Sequence, residues 1–211
     1  MMNYWDKLMA TDEGAASYMA TYGEGPGTET RMIIGGFINN GESVLDVGCG
    51  PGWNMDHFTE YGPILEVYKG VDYSGRFVRV ANQRRHAKKP WPFRVLPFEL
   101  QDCRDLNEPD KSWDVVVIQD CLEHTNGYEQ PICEAIRVAR RRVIIVFWRT
   151  FNENGEDNIN DDGDDGYGAT YDKGKWEKFI DSFGYPVMDT ETSPAANRWH
   201  KYYIVDLEPA R

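Results

Sequence analysis

The segment Asp46-Val47-Gly48-Cys49-Gly50-Pro51-Gly52 sets glycine at three alternate positions behind an acid, at the end of the apolar run that starts at Val44. A strand that enters such a turn and passes into a helix offers backbone N–H groups and a positive helix end at the carboxyl edge of a sheet, where a nucleotide-like ligand can settle. Two designs that use this arrangement are excluded by the neighbouring residues. Gly-x-Gly-x-x-Gly begun at Gly48 requires glycine at position 53, where Trp53 stands, and no Gly-Lys-Ser or Gly-Lys-Thr follows for a P-loop. The turn is shaped for close backbone approach by a ligand that need not be a pyrophosphate. Further along, Asp72, Asp102 and the group Gln119, Asp120 and His124 each stand at or just beyond the end of a strand-like run.

The elements that must hold these residues alternate between strand and helix patterns, which implies right-handed crossovers and a parallel sheet covered on both faces. Val44–Val47 reads as a first buried strand, followed by a helix from about Asn54 to Tyr61 that ends near Gly62-Pro63. Leu65–Val71 is the second strand, closed by Asp72 before a Ser74-started helix in which Phe77, Val80 and Ala81 share a face. The cations Arg84, Arg85, Lys88 and Lys89 at that helix's end read as a solvated face complementing the negative helix terminus. A third strand over Phe93–Gln101 contains Pro97, which calls for an edge position, a bulge or a shorter strand. Trp113–Ile118 and Val143–Phe147 are buried strands around a helix from Tyr128 to Arg140. Trp176, Phe179, Ile180 and Phe183 mark a further amphipathic helix, and Pro186–Thr190 and Lys201–Leu207 are the last strands. The expected fold is α/β: a doubly wound, mostly parallel seven-stranded sheet with helices on both faces and an antiparallel last strand.

With the elements in place, the glycine loop resembles the first motif of the class I, Rossmann-like S-adenosylmethionine-dependent methyltransferases, apolar-Asp-apolar-Gly-x-Gly-x-Gly. Three further stations follow in order. Gly70-Val71-Asp72-Tyr73-Ser74 is similar to the end of that family's second strand, where an acid accepts both ribose hydroxyls. A carboxylate suits a vicinal diol because each oxygen can take one O–H. Gln101-Asp102-Cys103-Arg104-Asp105-Leu106 resembles the stretch where an acid takes the adenine amino group and the next amide meets a ring nitrogen, here the backbone of Cys103. Trp113 through Leu122-Glu123-His124 resembles a fourth-strand motif of small-molecule methyltransferases, which puts Gln119 and Asp120 near the cofactor's methionine part. The resemblance runs from about Glu42 to Trp148. It implies S-adenosyl-L-methionine as cofactor, held by Asp46, Gly48, Cys49, Gly50, Gly52, Asp72, Tyr73, Asp102, Cys103 and Gln119, with Arg31 facing the methionine carboxylate. The simpler readings are a helix-capping Asp72, a plain loop acid at Asp102 and a His124 that only buttresses its loop.

Methyl transfer from a sulfonium is a direct displacement on an already activated carbon, so the protein must align the partners and exclude water, with no metal required. His124 and Asp120 are the catalytic candidates, because an imidazole accepts protons near neutral pH and a carboxylate can orient or deprotonate an acceptor. Gln119-Asp120-Cys121-Leu122 lacks the prolines of the Asp/Asn-Pro-Pro-aromatic motif of amino methyltransferases. Trp148-Arg149-Thr150-Phe151 lacks the acidic pair of the metal-dependent catechol type. Tyr4, Trp5, Tyr18 and Tyr22 are candidates for an aromatic lid over the sulfonium.

Size and charge bound the rest. A chain of 211 residues accommodates one α/β domain, read as an N-terminal helical lid over 1–40, a cofactor-binding core over 41–150, an acidic loop over 151–171 and a C-terminal helix with strands over 172–211. A net charge of −12 disfavours nucleic acid and anionic membrane partners. The four cysteines, Cys49, Cys103, Cys121 and Cys133, show neither a disulfide framework nor zinc spacing, and no apolar run is long enough to span a bilayer, so a cytoplasmic setting is expected. Asn152–Gly166 contains seven acids and reads as a surface loop or flap. It fails as a calcium loop, since Ala169 stands where the bidentate glutamate belongs. Small-molecule methyl transfer is the leading expectation; a non-catalytic cofactor- or partner-binding module using the acidic loop, and a nicotinamide enzyme, are the alternatives. Neither the acceptor nor the oligomeric state is indicated.

Overall fold

The computed structural model describes residues 4–8, 10–11, 18, 28–87, 90–148, 151–163, 166–191 and 200–208. Ser43–Val47 (β1) is buried at every position, which its position in mid-sheet explains. It pairs in parallel with Val67–Asp72 (β2) on one side and Trp113–Gln119 (β5) on the other. Ala139–Phe147 (β6) continues the parallel set beyond β5. Lys201–Asp206 (β10) then runs antiparallel between β6 and Val187–Glu191 (β9), so the last strand is reversed as expected.

At the other edge the third strand is split. Arg94–Val95 (β3) pairs with Val67 and Tyr68, Glu99–Leu100 (β4) pairs with Val71 and Asp72, and Leu96-Pro97-Phe98 lies between. Proline cannot donate to a ladder and is tolerated where the strand has an outer edge. Phe98 uses the break to turn its ring into the core, 3% exposed, against Gly70. A Cβ on Gly70 would fall 2.4 Å from that ring, which is why this strand position carries no side chain.

Alternate residues of each strand feed two cores. Leu45, Val116, Ile118 and Ile145 face Glu129–Val138 (α5) and Lys173–Asp181 (α6), through Ile132 and Trp176. Val44, Val115, Val117 and Ile144 face Thr28–Gly36 (α2), Trp53–Tyr61 (α3) and Gly75–Ala87 (α4), through Ile34, Met55, Phe58 and Ala81. This two-sided burial explains the continuous apolar runs in the central strands. Every carboxyl end of β1, β2 and β5 therefore opens on the same edge, which is where ligands of such sheets bind.

Two local expectations are corrected. The basic end of α4 is not simply a solvated face: Arg84 pairs with Asp56 of α3, and the half-buried Arg85 reaches the Val95 carbonyl, while Lys88 and Lys89 lie outside the described residues. The acidic segment expected as a loop folds in part as a hairpin, Asn158–Gly163 (β7) against Gly166–Thr170 (β8). Its carboxylates are used locally: Asp161 accepts from the Gly163 amide at 2.8 Å, Asp157 from the Asp172 amide at 2.7 Å, and Asp172 from the Gly155 amide at 2.8 Å. Composition alone reads as loop because such turn chemistry is what Asp, Asn and Gly supply, yet Ala169 is fully buried and anchors the hairpin. Among the described residues no helix is long and apolar enough to cross a membrane.

Candidate active site

The glycine loop is bound to β2 before any ligand arrives. The Gly48 and Cys49 amides donate to the Val71 carbonyl at 2.9 and 3.1 Å. Gly48, Gly50 and Gly52 all adopt left-handed backbone, with φ of 72°, 54° and 86°, which any side chain would strain. Gly48 meets a second demand, since a Cβ there would lie 2.5 Å from Cys121 Sγ in the loop after β5.

Asp72, at the end of β2, joins this loop to α4. One carboxylate oxygen accepts the Gly50 amide at 2.8 Å and the other the Ser74 amide at 2.8 Å. Burial pushes its pKa up to about 6, against the two amide hydrogen bonds that favour the charged form. The bond to the Ser74 amide, just before α4, is the one the helix-capping reading describes. Asp46 is raised to about 6 by burial as well, and accepts from the Tyr68 hydroxyl and, at 3.2 Å, from Asn54 Nδ2.

The loop after β4 carries Gln101 through Asp105. Its anchor is a buried network that sequence patterns do not show: Lys69 Nζ donates to Glu108 at 2.6 Å, Gln101 Nε2 to the same oxygen at 3.0 Å, and Trp113 Nε1 to the other at 2.9 Å. The one available signal was a lysine inside an apolar strand. Beyond this anchor, Asp102 folds back on Arg104. The guanidinium donates from Nε at 2.9 Å and from Nη2 at 2.7 Å to the two carboxylate oxygens.

At the end of β5, Asp120 has φ 52°, a conformation that costs a non-glycine residue about 1–2 kcal/mol. It accepts from Gln119 Nε2 at 3.2 Å and faces His200 Nε2 at 3.7 Å. The turn Leu122–His124 follows, packed under β8. His124 Nδ1 lies 3.1 Å from the Tyr167 carbonyl of the hairpin, and its ring meets Trp5 edge-on at 4.7 Å. A carbonyl only accepts, so Nδ1 carries the proton and Nε2 is the basic nitrogen of the neutral ring.

Residues 45–147 match the family described as methyltransferase domain. The match covers just under half of the chain. Demethylmenaquinone methyltransferase of Tropheryma whipplei is 31% identical over 127 residues, 54% of this chain and 49% of the relative. The 27-O-demethylrifamycin SV methyltransferase of Amycolatopsis mediterranei is 30% identical over 138 residues, 65% and 46% of the two chains. The chain thus spans about half the length of the curated relatives it matches. Magnesium protoporphyrin IX methyltransferase of Synechocystis, solved with bound SAH, superimposes with a TM-score of 0.67 at 18% identity, covering 94% of this chain and 95% of the other. That likeness shows the fold.

The described residues at the carboxyl edge of the sheet and in the flanking segments line an open cavity. Of the residues singled out from sequence, Gly48, Gly50, Asp72, Tyr73, Asp102, Cys103, Asp120 and His124 line it. Asp46, Cys49, Gly52, Gln119 and Arg31 are not on its wall. Cys49 and Gly52 face the Phe98 side of the core, and Arg31, 6% exposed on α2, lies 5.7 Å from the Trp53 ring with its buried Nε unpartnered. Trp5 and Tyr18 line the cavity as the lid reading anticipates, Tyr4 packs on Gly166 instead, and Tyr22 lies outside the described residues. Phe77, Arg104, Cys121 and Tyr167 also line it and were not anticipated.

Proposed function

We propose that this chain is an S-adenosylmethionine-dependent methyltransferase that acts on a small-molecule acceptor. The observation that carries the reading is that three sequence-distant stations, the Gly48–Gly50 turn with Asp72, the Asp102–Cys103 loop and the Asp120–His124 turn, converge on a single cavity. Apolar and aromatic side chains with a few convergent polar groups line it, as in small-ligand sites, and the relatives named above act, by their names, on a demethylmenaquinone and a demethylrifamycin.

The residues present fit the cofactor. Asp72 sits where a diol is to be bound, its raised pKa marking a carboxylate short of solvent and able to gain from further donors. Arg31, a buried cation behind the cavity wall, adds positive charge near Asp120 and Asp46 without a direct contact to the ligand. S-adenosylmethionine supplies a methyl group on a positive sulfur, open to direct displacement. The chain's own residues then hold the acceptor in line, exclude water and manage a proton. Trp5, Tyr18 and Phe77 give the mouth an aromatic wall that shields a cation and buries apolar acceptor surface. His124 Nε2 takes the proton of a hydroxyl or ammonium acceptor, while the Tyr167 carbonyl keeps the ring in the required tautomer. Asp120 orients the acceptor.

Calorimetry with S-adenosylmethionine and S-adenosylhomocysteine tests the binding half, and labelled methyl transfer into a metabolite extract tests the catalytic half. Absence of binding, or binding that Asp72→Asn leaves unchanged, overturns the reading. Tight binding with no labelled product from any extract marks a non-catalytic module instead.

A further inference from the structure

In the cofactor reading just given, on which this inference rests, Asp102 is the acid that takes the adenine amino group. The geometry leaves it little capacity to do so. A carboxylate has about four lone-pair sites, and three N–H groups of Arg104 crowd those of Asp102: the amide and Nε reach one oxygen, both at 2.9 Å, Nη2 reaches the other at 2.7 Å, and the single Nε–H is shared with that oxygen at 3.1 Å. The turn that closes on itself through the Asp105 amide, 3.0 Å from the Asp102 carbonyl, returns Arg104 to this fork. The fork fixes the plane of a guanidinium whose side chain is still 36% exposed and which lines the cavity beside Cys103 and Tyr73.

We propose that Arg104 is the residue that holds the adenine, by stacking its flat guanidinium on the ring, and that Asp102 acts on the base only by holding Arg104 flat. A fork-held guanidinium is pre-organised for such stacking, and an ammonium is not. Base stacking of this kind tolerates changes at the ring's edge because every purine presents a π-face. The site accordingly reads the cofactor's base by its face more than by its 6-amino group.

The test is calorimetric binding of S-adenosylhomocysteine and of its 6-deamino analogue, which keeps the ring nitrogens and lacks the amino group. The parent protein is expected to bind the two within about threefold. Arg104→Ala and Asp102→Asn each weaken both ligands to the same degree, roughly tenfold from loss of one stack, and the double variant is no worse than either single one. Arg104→Lys fails to restore binding and Arg104→Tyr, which keeps a flat face, restores most of it, a pattern that mere loop disorder does not produce. Discrimination of tenfold or more against the deamino analogue in the parent, abolished in Asp102→Asn and retained in Arg104→Ala, overturns the proposal and returns Asp102 to the amino group. Failure of the parent to bind either ligand overturns the cofactor reading, and Arg104's role with it.

Discussion

Asp72 ties the pH dependence of binding to that of stability, with opposite signs. Its folded-state pKa is about 6 against an ordinary 3.8. If the ionised carboxylate is the form that accepts a diol, about nine tenths of the sites are lost to protonation at pH 5, where a group of pKa 6 is about one-tenth ionised. S-adenosylhomocysteine should then bind about tenfold more weakly at pH 5 than at pH 7.5. Stability moves the other way. Because the folded pKa is raised, the native state holds a proton between pH 3.8 and 6 that the unfolded chain has released, so the contribution of Asp72 is full below pH 3.8 and is lost as pH rises through 6. The shift corresponds to about 3 kcal/mol, and Asp46, also raised to about 6, adds in the same direction. Lowered acids such as Asp102, Glu108 and Glu134 reverse the trend only on further acidification, towards their own lower pKa values. Urea unfolding and calorimetry at pH 7.5, 6 and 5 should show stability rising and affinity falling as the pH is lowered. Asp72→Asn keeps one of the two amide hydrogen bonds, costs about 1 kcal/mol at pH 5 and less towards pH 7.5, and should flatten the affinity profile and about halve the stability slope. An affinity independent of pH in the parent, or a parent-like profile in Asp72→Asn, refutes the assignment.

Gly48→Ala combines left-handed strain with a Cβ 2.5 Å from Cys121 Sγ, and should cost about 2–4 kcal/mol in urea unfolding; adding Cys121→Ala should recover only part, since the Cys121 Cβ lies 2.7 Å away. His124→Asn keeps a donor for the Tyr167 carbonyl but takes no proton. With a hydroxyl or ammonium acceptor, kcat should fall roughly 10²–10⁴-fold while calorimetric affinity for S-adenosylhomocysteine is unchanged. Glu108→Gln leaves Lys69 with only the half-exposed Glu99, 2.8 Å away, as its carboxylate partner and should destabilise by about 1–3 kcal/mol; Lys69→Met in the same chain should restore much of this in chemical denaturation.

The glycine-turn side of the cavity was legible because local rules write it. Burial on both faces gives the apolar runs Val115–Ile118 and Val143–Phe147, glycines at 48, 50 and 52 are required by positive φ, and Pro97 forecast the divided edge strand. What resisted reading was determined by contacts between distant segments. Arg104 carries no pattern that announces its fork with Asp102, the left-handed Asp120 is a residue type that sequence rules do not place there, and Glu108 becomes an anchor only once Lys69 is known to point at it. The hairpin was hidden by composition, because the acids and asparagines that read as loop are the residues whose side chains close its turns.

The Trp5, His124 and Tyr167 cluster lies at the extreme of this divide. Trp5, His124 and Tyr167 come from an N-terminal helix, a short turn and a hairpin strand, with no shared period and long intervals between them. Each is held by the others: Tyr167 fixes the His124 tautomer, Trp5 covers the His124 ring, and Asp6, next to Trp5, accepts from Ser74 Oγ at 2.6 Å and from the Arg76 amide at 3.1 Å at the start of α4. Through Ser74, which also donates its amide to Asp72, the lid is joined to the same carboxylate that holds the glycine loop. Protonation of Asp72 weakens the charge-assisted bonds to Gly50 and Ser74 together. The cofactor turn and the lid are therefore coupled through one side chain, and the pH at which the cofactor is lost should also be the pH at which Trp5 fluorescence reports a loosened lid.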